Sequence, residues 1–69
     1  MTGARHLAWG SVKPGDHLRL RHKRRSDLPR VEVTAVELLP RALADGRGII
    51  ADDGQPYREY FWDVELLDD

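Results

Sequence analysis

The sequence predicts a small all-β domain built from five short strands, and three observations carry that expectation. Two stretches alternate apolar and polar residues: Leu18 and Leu20 with Arg19 and Arg21, then Val31, Val33 and Ala35 with Glu32 and Thr34. Period two is the signature of a half-buried strand. Turn signals punctuate the chain at Pro14-Gly15 and Asp53-Gly54. Finally, 69 residues with 41% hydrophobic and 33% charged content make one globular domain rather than a disordered tail.

The elements follow in chain order. Residues 1–10 carry no pattern and read as a loose N-terminal arm, with Leu7 and Trp9 docking on the body; residues 11–69 form a single small domain. After Pro14-Gly15, His17 to Lys23 is the first strand. Arg24 to Pro29 is polar, ends in proline and reads as a loop. Arg30 to Leu38 alternates again, but the phase changes near Ala35, where Val36 and Leu38 take the other face; a bulge or a strong bend explains such a change. Thr34 to Ala44 also reads as a helix, but the β-branched residues upstream and the interior Pro40 favour the strand. Residues 40–45 form either a loop closed by Asp45-Gly46 or one helical turn with Pro40 at its first position. Arg47 to Asp52 is the third strand and Asp53-Gly54 its hairpin turn. Pro56 sits where a missing donor costs least. Tyr57 to Trp62 is the fourth strand, Asp63 marks a tight turn, and Val64 to Leu67 is the last strand.

A chain of this size buries only about 60% of the surface it exposes when unfolded. The aromatics Trp9, Tyr57, Tyr60, Phe61 and Trp62 must therefore supply much of the core. There is no cysteine, which removes disulfides and thiolate metal sites. No apolar run exceeds three residues, which points away from a transmembrane helix or signal-peptide core and towards a cytoplasmic setting.

Val12-Lys13-Pro14-Gly15-Asp16-His17-Leu18 is similar to the hydrophobic, Pro-Gly-Asp, hydrophobic start of small Src-homology-3-like barrels. Trp62-Asp63-Val64-Glu65-Leu66-Leu67 resembles their closing turn and fifth strand. The group includes KOW and Tudor modules and many bacterial and phage accessory domains. The resemblance, over Ser11 to Leu67, implies a closed five-stranded Src-homology-3-like barrel that binds a partner without a cofactor.

Charge is unevenly divided. Residues 1–30 hold eight cations and two acids; residues 31–69 hold three cations and ten acids. Arg19, Arg21 and Lys23 share the face opposite Leu18 and Leu20, the loop adds Arg24 and Arg25, and Arg30 opens the next strand. A stripe of such cations suits phosphate oxygens, which makes nucleic acid, DNA or RNA, the first partner to consider. Exposed rings would add stacking on unpaired bases. Equally, Glu32, Glu37 and Glu59 can pair across strands with Arg19, Arg21 or Arg58, neutralising the stripe. A second reading is a protein-interaction module using Arg58, Tyr60 and Trp62, which strand alternation puts on one face, with the acidic half; an aromatic cage for a methylated cation is a variant. A third is a self-assembling homo-oligomer in which basic and acidic faces meet.

Catalysis finds no support in the residues. His17 and His22 are five apart, so a strand turns them to opposite sides, unlike a metal pair. Neighbouring Asp52 and Asp53 point apart, and Asp45-Gly46-Arg47-Gly48 lacks the Gly-Lys-Ser/Thr ending of a phosphate loop. Ser11 and Ser26 have no recognisable base and acid. The sequence thus predicts no enzyme, no metal and no cofactor.

Overall fold

The computed structural model describes residues 3–68. Among them, β1 (Gly3–His6), a short 3-10 helix (Trp9–Ser11), β2 (His17–His22), β3 (Val31–Ala42), β4 (Gly46–Ala51), β5 (Pro56–Arg58) and β6 (Trp62–Asp68) follow one another. All pairings are antiparallel, in the order β1-β6-β2-β3-β4-β5.

The sheet is open, with β1 and β5 at its edges, and the expected closed Src-homology-3-like barrel of five strands is not formed. Closure needs two edge strands with matching length and register. Here β5 has only three residues and begins with Pro56, which has no donor. On the other side β1 caps β6, pairing Ala4 with Leu67 and His6 with Glu65. Part of the segment read as an arm is therefore a sixth strand. The expected strand from Tyr57 to Trp62 is interrupted at residues 59–61, and Asp63, read as a turn, lies inside β6 opposite Arg21.

β3 is the shared strand. Val31 to Thr34 pair with β2, and Ala35 to Ala42 pair with β4. The register shifts between Ala35 and Glu37, where the apolar phase changes in the sequence. It shifts again between Leu39 and Ala42, which leaves Pro40 and Arg41 outside the ladder. That irregularity lets β3 pass through a proline, so residues 40–45 continue the strand into a turn and contain no helical turn. The second edge of the hairpin after β4 turns at Asp53-Gly54, with Gly54 at φ 81° and Asp53 Oδ1 accepting the Gln55 N–H.

Leu18 and Leu20 of β2, Val33 and Ala35 of β3, Ile49 and Ala51 of β4, Tyr57 of β5 and Val64 of β6 fill the core, with Trp9 and Val12 across its end. The Trp9 indole N–H donates to the Trp62 carbonyl at 3.0 Å, so the buried indole has its hydrogen bond and ties the 3-10 helix to β6. Trp62 is partly buried and meets the Tyr57 ring edge-on, with centroids 5.2 Å apart.

The Tyr57 hydroxyl donates to Asp53 Oδ2 at 2.6 Å. Burial, then the bond to Asp53, pushes the Tyr57 pKa up from 10.0 to about 12. The same bond lowers the Asp53 pKa. Between these two Tyr57 values the unfolded chain releases the phenolic proton while the folded chain holds it. Stability present below pH 10 is therefore lost as pH rises towards 12. Tyr57→Phe is expected to be less stable at neutral pH but to lose less on raising the pH through that window. Urea midpoints of both proteins at a series of alkaline pH values check this; parallel curves would refute it.

Candidate functional site

The six cations expected to form one stripe fall into two groups. Arg19 and Arg21 lie on the outward face of β2, where register sets Arg19 between Glu32 of β3 and Glu65 of β6, and Arg21 opposite Asp63. Arg19 reaches Glu32 at 3.9 Å, and Arg21 and Lys23 reach Asp63 at 3.8 and 3.9 Å. Arg30 lines a shallow recess on that face with Arg21, His6, Asp63 and Glu65. In the loop, Arg25 grips Asp27 with two parallel bonds of 3.1 Å, and that guanidinium lowers the Asp27 pKa. Four of the six cations thus have a carboxylate partner. These pairs are at least partly exposed to solvent, and those of Arg19, Arg21 and Lys23 contribute only about 0–1 kcal/mol, so a phosphate can compete for them at small cost.

Lys23 and Arg24 belong to a second site at the end of the sheet. The His22 Nδ1 accepts the N–H groups of Arg24 at 3.2 Å and Arg25 at 3.1 Å, which requires an unprotonated Nδ1. The ring is anchored by an edge-on contact with Trp62, centroids 4.9 Å apart. The chain then turns so that the Arg24 guanidinium lies 4.5 Å over the Tyr60 ring. Tyr60 in turn meets Phe61 edge-on at 4.9 Å.

The turn carrying these rings is clamped from two sides. Tyr60 N–H donates to the Asp45 carbonyl and Glu59 N–H to that of Arg47, while Lys23 N–H donates to the Phe61 carbonyl. So held, Tyr60 and Phe61 remain 44% and 39% exposed. Facing Tyr60 is the tip of the β3–β4 hairpin, where Leu43 is fully exposed. Arg58 pins the hairpin, donating to the carbonyls of Pro40 at 3.0 Å and Gly46 at 3.2 Å. A recess of about 480 Å³ lies between tip and turn, lined by Lys23, Arg24, Arg41, Asp45, Glu59 and Tyr60 among others. A neighbouring recess of about 430 Å³ shares Lys23, Arg41 and Glu59 and extends the path to Arg47 and Trp9.

The patch expected from Arg58, Tyr60 and Trp62 is distributed differently: Arg58 is engaged with the hairpin, Trp62 is partly buried against the core, and Tyr60 faces the recess. Sequence reasoning did not single out Arg41, His22 as a loop anchor, or Phe61 as an exposed ring. Arg41 joins the site only through the β3–β4 hairpin, and the turn at 59–61 contains no glycine or proline to announce it.

Among the described residues, no group of three His, Asp or Glu side chains is placed to hold a metal ion. No helix among them is long and apolar enough to cross a membrane. Comparison with protein-family profiles, curated proteins and solved structures finds no match.

Proposed function

We propose that this domain is a small binding module for nucleic acid, contacting phosphates through the cations at the end of β2 and in the loop that follows. The observation that carries the reading is Arg24 lying on the exposed Tyr60 ring, beside Lys23 and Arg41. A guanidinium held over a ring has lost some of its rotamer freedom before it binds, while its N–H groups can still reach phosphate. Arg25 and Arg30 extend the contact, and Arg19 and Arg21 add to it by exchanging exposed carboxylates for phosphate.

The charge balance sets the expected strength. Carboxylates of Asp45, Glu59 and Asp63 lie among the same recesses, so the excess of positive charge is small. Binding is therefore expected at low ionic strength and to be moderate. With roughly three phosphates neutralised, log K should fall with log salt at a slope of about −2 to −3. Arg24→Glu is expected to weaken binding about tenfold, or about 1.4 kcal/mol, close to the lower end of what a hydrogen bond to a charged group contributes. Fluorescence anisotropy with labelled oligonucleotides at two salt concentrations tests both. An absence of binding at low salt, or binding indifferent to salt and to Arg24→Glu, would overturn the proposal.

A further inference from the structure

We infer that the nucleic acid taken by this site is single-stranded, with unpaired bases stacked against Phe61 and the Arg24–Tyr60 pair and phosphates following Lys23, Arg41 and Arg47. This rests on the nucleic-acid reading above and adds the class of ligand.

Three features separate a single strand from a duplex. The first is the pair of exposed rings. Phe61 has no polar atom to offer a phosphate, and in a duplex the base faces are already occupied by one another. Only an unpaired base presents a face to it. Arg24, held 4.5 Å over the Tyr60 ring, adds a cationic group beside the rings for a base to pack against.

The second is shape. Tyr60 lines an open depression between the β3–β4 hairpin tip and the turn at residues 59–61, and Phe61 meets Tyr60 edge-on beside it. Its volume of about 480 Å³ is on the scale of a small-molecule site. A flexible strand can follow such a depression with a base laid against the ring at its side, whereas a duplex keeps its base faces covered.

The third is charge. The recess carries three cations, Lys23, Arg24 and Arg41, against two carboxylates, Asp45 and Glu59. Glu59 is partly engaged, accepting the Arg47 backbone N–H at 3.2 Å. A duplex bound by phosphate contacts alone would depend wholly on this narrow excess. A single strand adds stacking, which does not require net charge. The adjoining recess carries Arg47 beside Lys23 and Arg41, giving the backbone a path out of the stacking site.

The test compares three labelled probes with equal phosphate number: a thymidine single strand, a hairpin duplex and an abasic strand. All are titrated against the full chain at low salt. The single strand is expected to bind about tenfold more tightly than either of the others. Phe61→Ala should remove that advantage, a loss of about tenfold on the base-bearing strand, with little change for duplex or abasic probe; Phe61→Tyr should restore it. Phe61 is exposed, and a thermal melt confirms that the variant folds; if it does not, Tyr60→Leu serves the same comparison. Equal affinity for all three probes, or a Phe61→Ala loss equal on all, would overturn the single-strand inference and leave phosphate binding standing. No binding of any probe would overturn the nucleic-acid reading itself.

Discussion

Leu20→Ala is expected to remove a large part of the stability of this domain. Leu20 is completely buried at the centre of β2, opposite Val31 of β3 and Val64 of β6. Truncating a buried leucine costs about 2–5 kcal/mol, through lost transfer energy and the cavity left behind. A 69-residue chain at ordinary stability per residue has about 3–10 kcal/mol in total. The upper part of the first range overlaps the lower part of the second, so partial unfolding at room temperature is an expected outcome. The melting temperature should fall by about 10 °C or more. The adjacent Arg19 provides the contrast. Its side chain points outward to Glu32 at 3.9 Å, and Arg19→Ala should change stability by no more than about 1 kcal/mol. Thermal melts of both variants decide the matter. A fall of less than about 4 °C for Leu20→Ala, or equal losses for the two, would mean that the core does not lie between β2, β3 and β6.

The same alternation made β2 legible in the sequence, since Leu18 and Leu20 can be buried only if Arg19 and Arg21 face outward. The irregularity after Ala35 was legible too, because a bulge is the ordinary way for a strand to change phase. β1 was not. Gly3-Ala4-Arg5-His6 has no apolar alternation, and its strand comes from backbone pairing with β6 rather than from its own side chains. Closure was not legible either, because it depends on whether two distant edges meet. Pro56, read as standing at a strand entrance, opens β5, but that position alone does not say whether β5 finds a further neighbour. For the site, the cations were visible but their partners were not. Reading Asp63 as a turn hid the carboxylate that register sets opposite Arg21 and that also meets Lys23. Strict alternation from Tyr57 to Trp62 paired Phe61 with the buried Tyr57, whereas tertiary hydrogen bonds at Glu59, Tyr60 and Phe61 turn the chain there and leave Phe61 outside.

Gly48→Ala is expected to lower stability by about 2–3 kcal/mol, near the upper end for overpacking. Gly48 is buried in β4, opposite Leu39 of β3 and Arg58 of β5. A Cβ there would stand 2.8 Å from the Tyr57 carbonyl oxygen and 3.1 Å from Arg58 Cδ. The first of these is backbone, so relief requires β5 to move rather than a side chain to rotate. β5 is held by only three ladder positions, and its displacement would disturb Tyr57, which covers Trp62 and bonds Asp53. Backbone conformation offers no obstacle, because Gly48 is not among the positive-φ glycines. Alanine's lower unfolded-state entropy would even favour the variant by about 0.4–1 kcal/mol. The steric term is larger and decides the sign. Gly3 isolates the two effects: it too lacks positive φ, and nothing lies within 4 Å of an added Cβ. Gly3→Ala should therefore be neutral or slightly stabilising, while Gly48→Ala melts about 8 °C or more below the parent. Because residues 59–61 hang from β5, Gly48→Ala should also weaken oligonucleotide binding without altering any ligand-contacting side chain. A variant that melts within about 3 °C of the parent would show that β5 does not lie against β4 as described, and would remove the support for the exposed position of Tyr60 and Phe61.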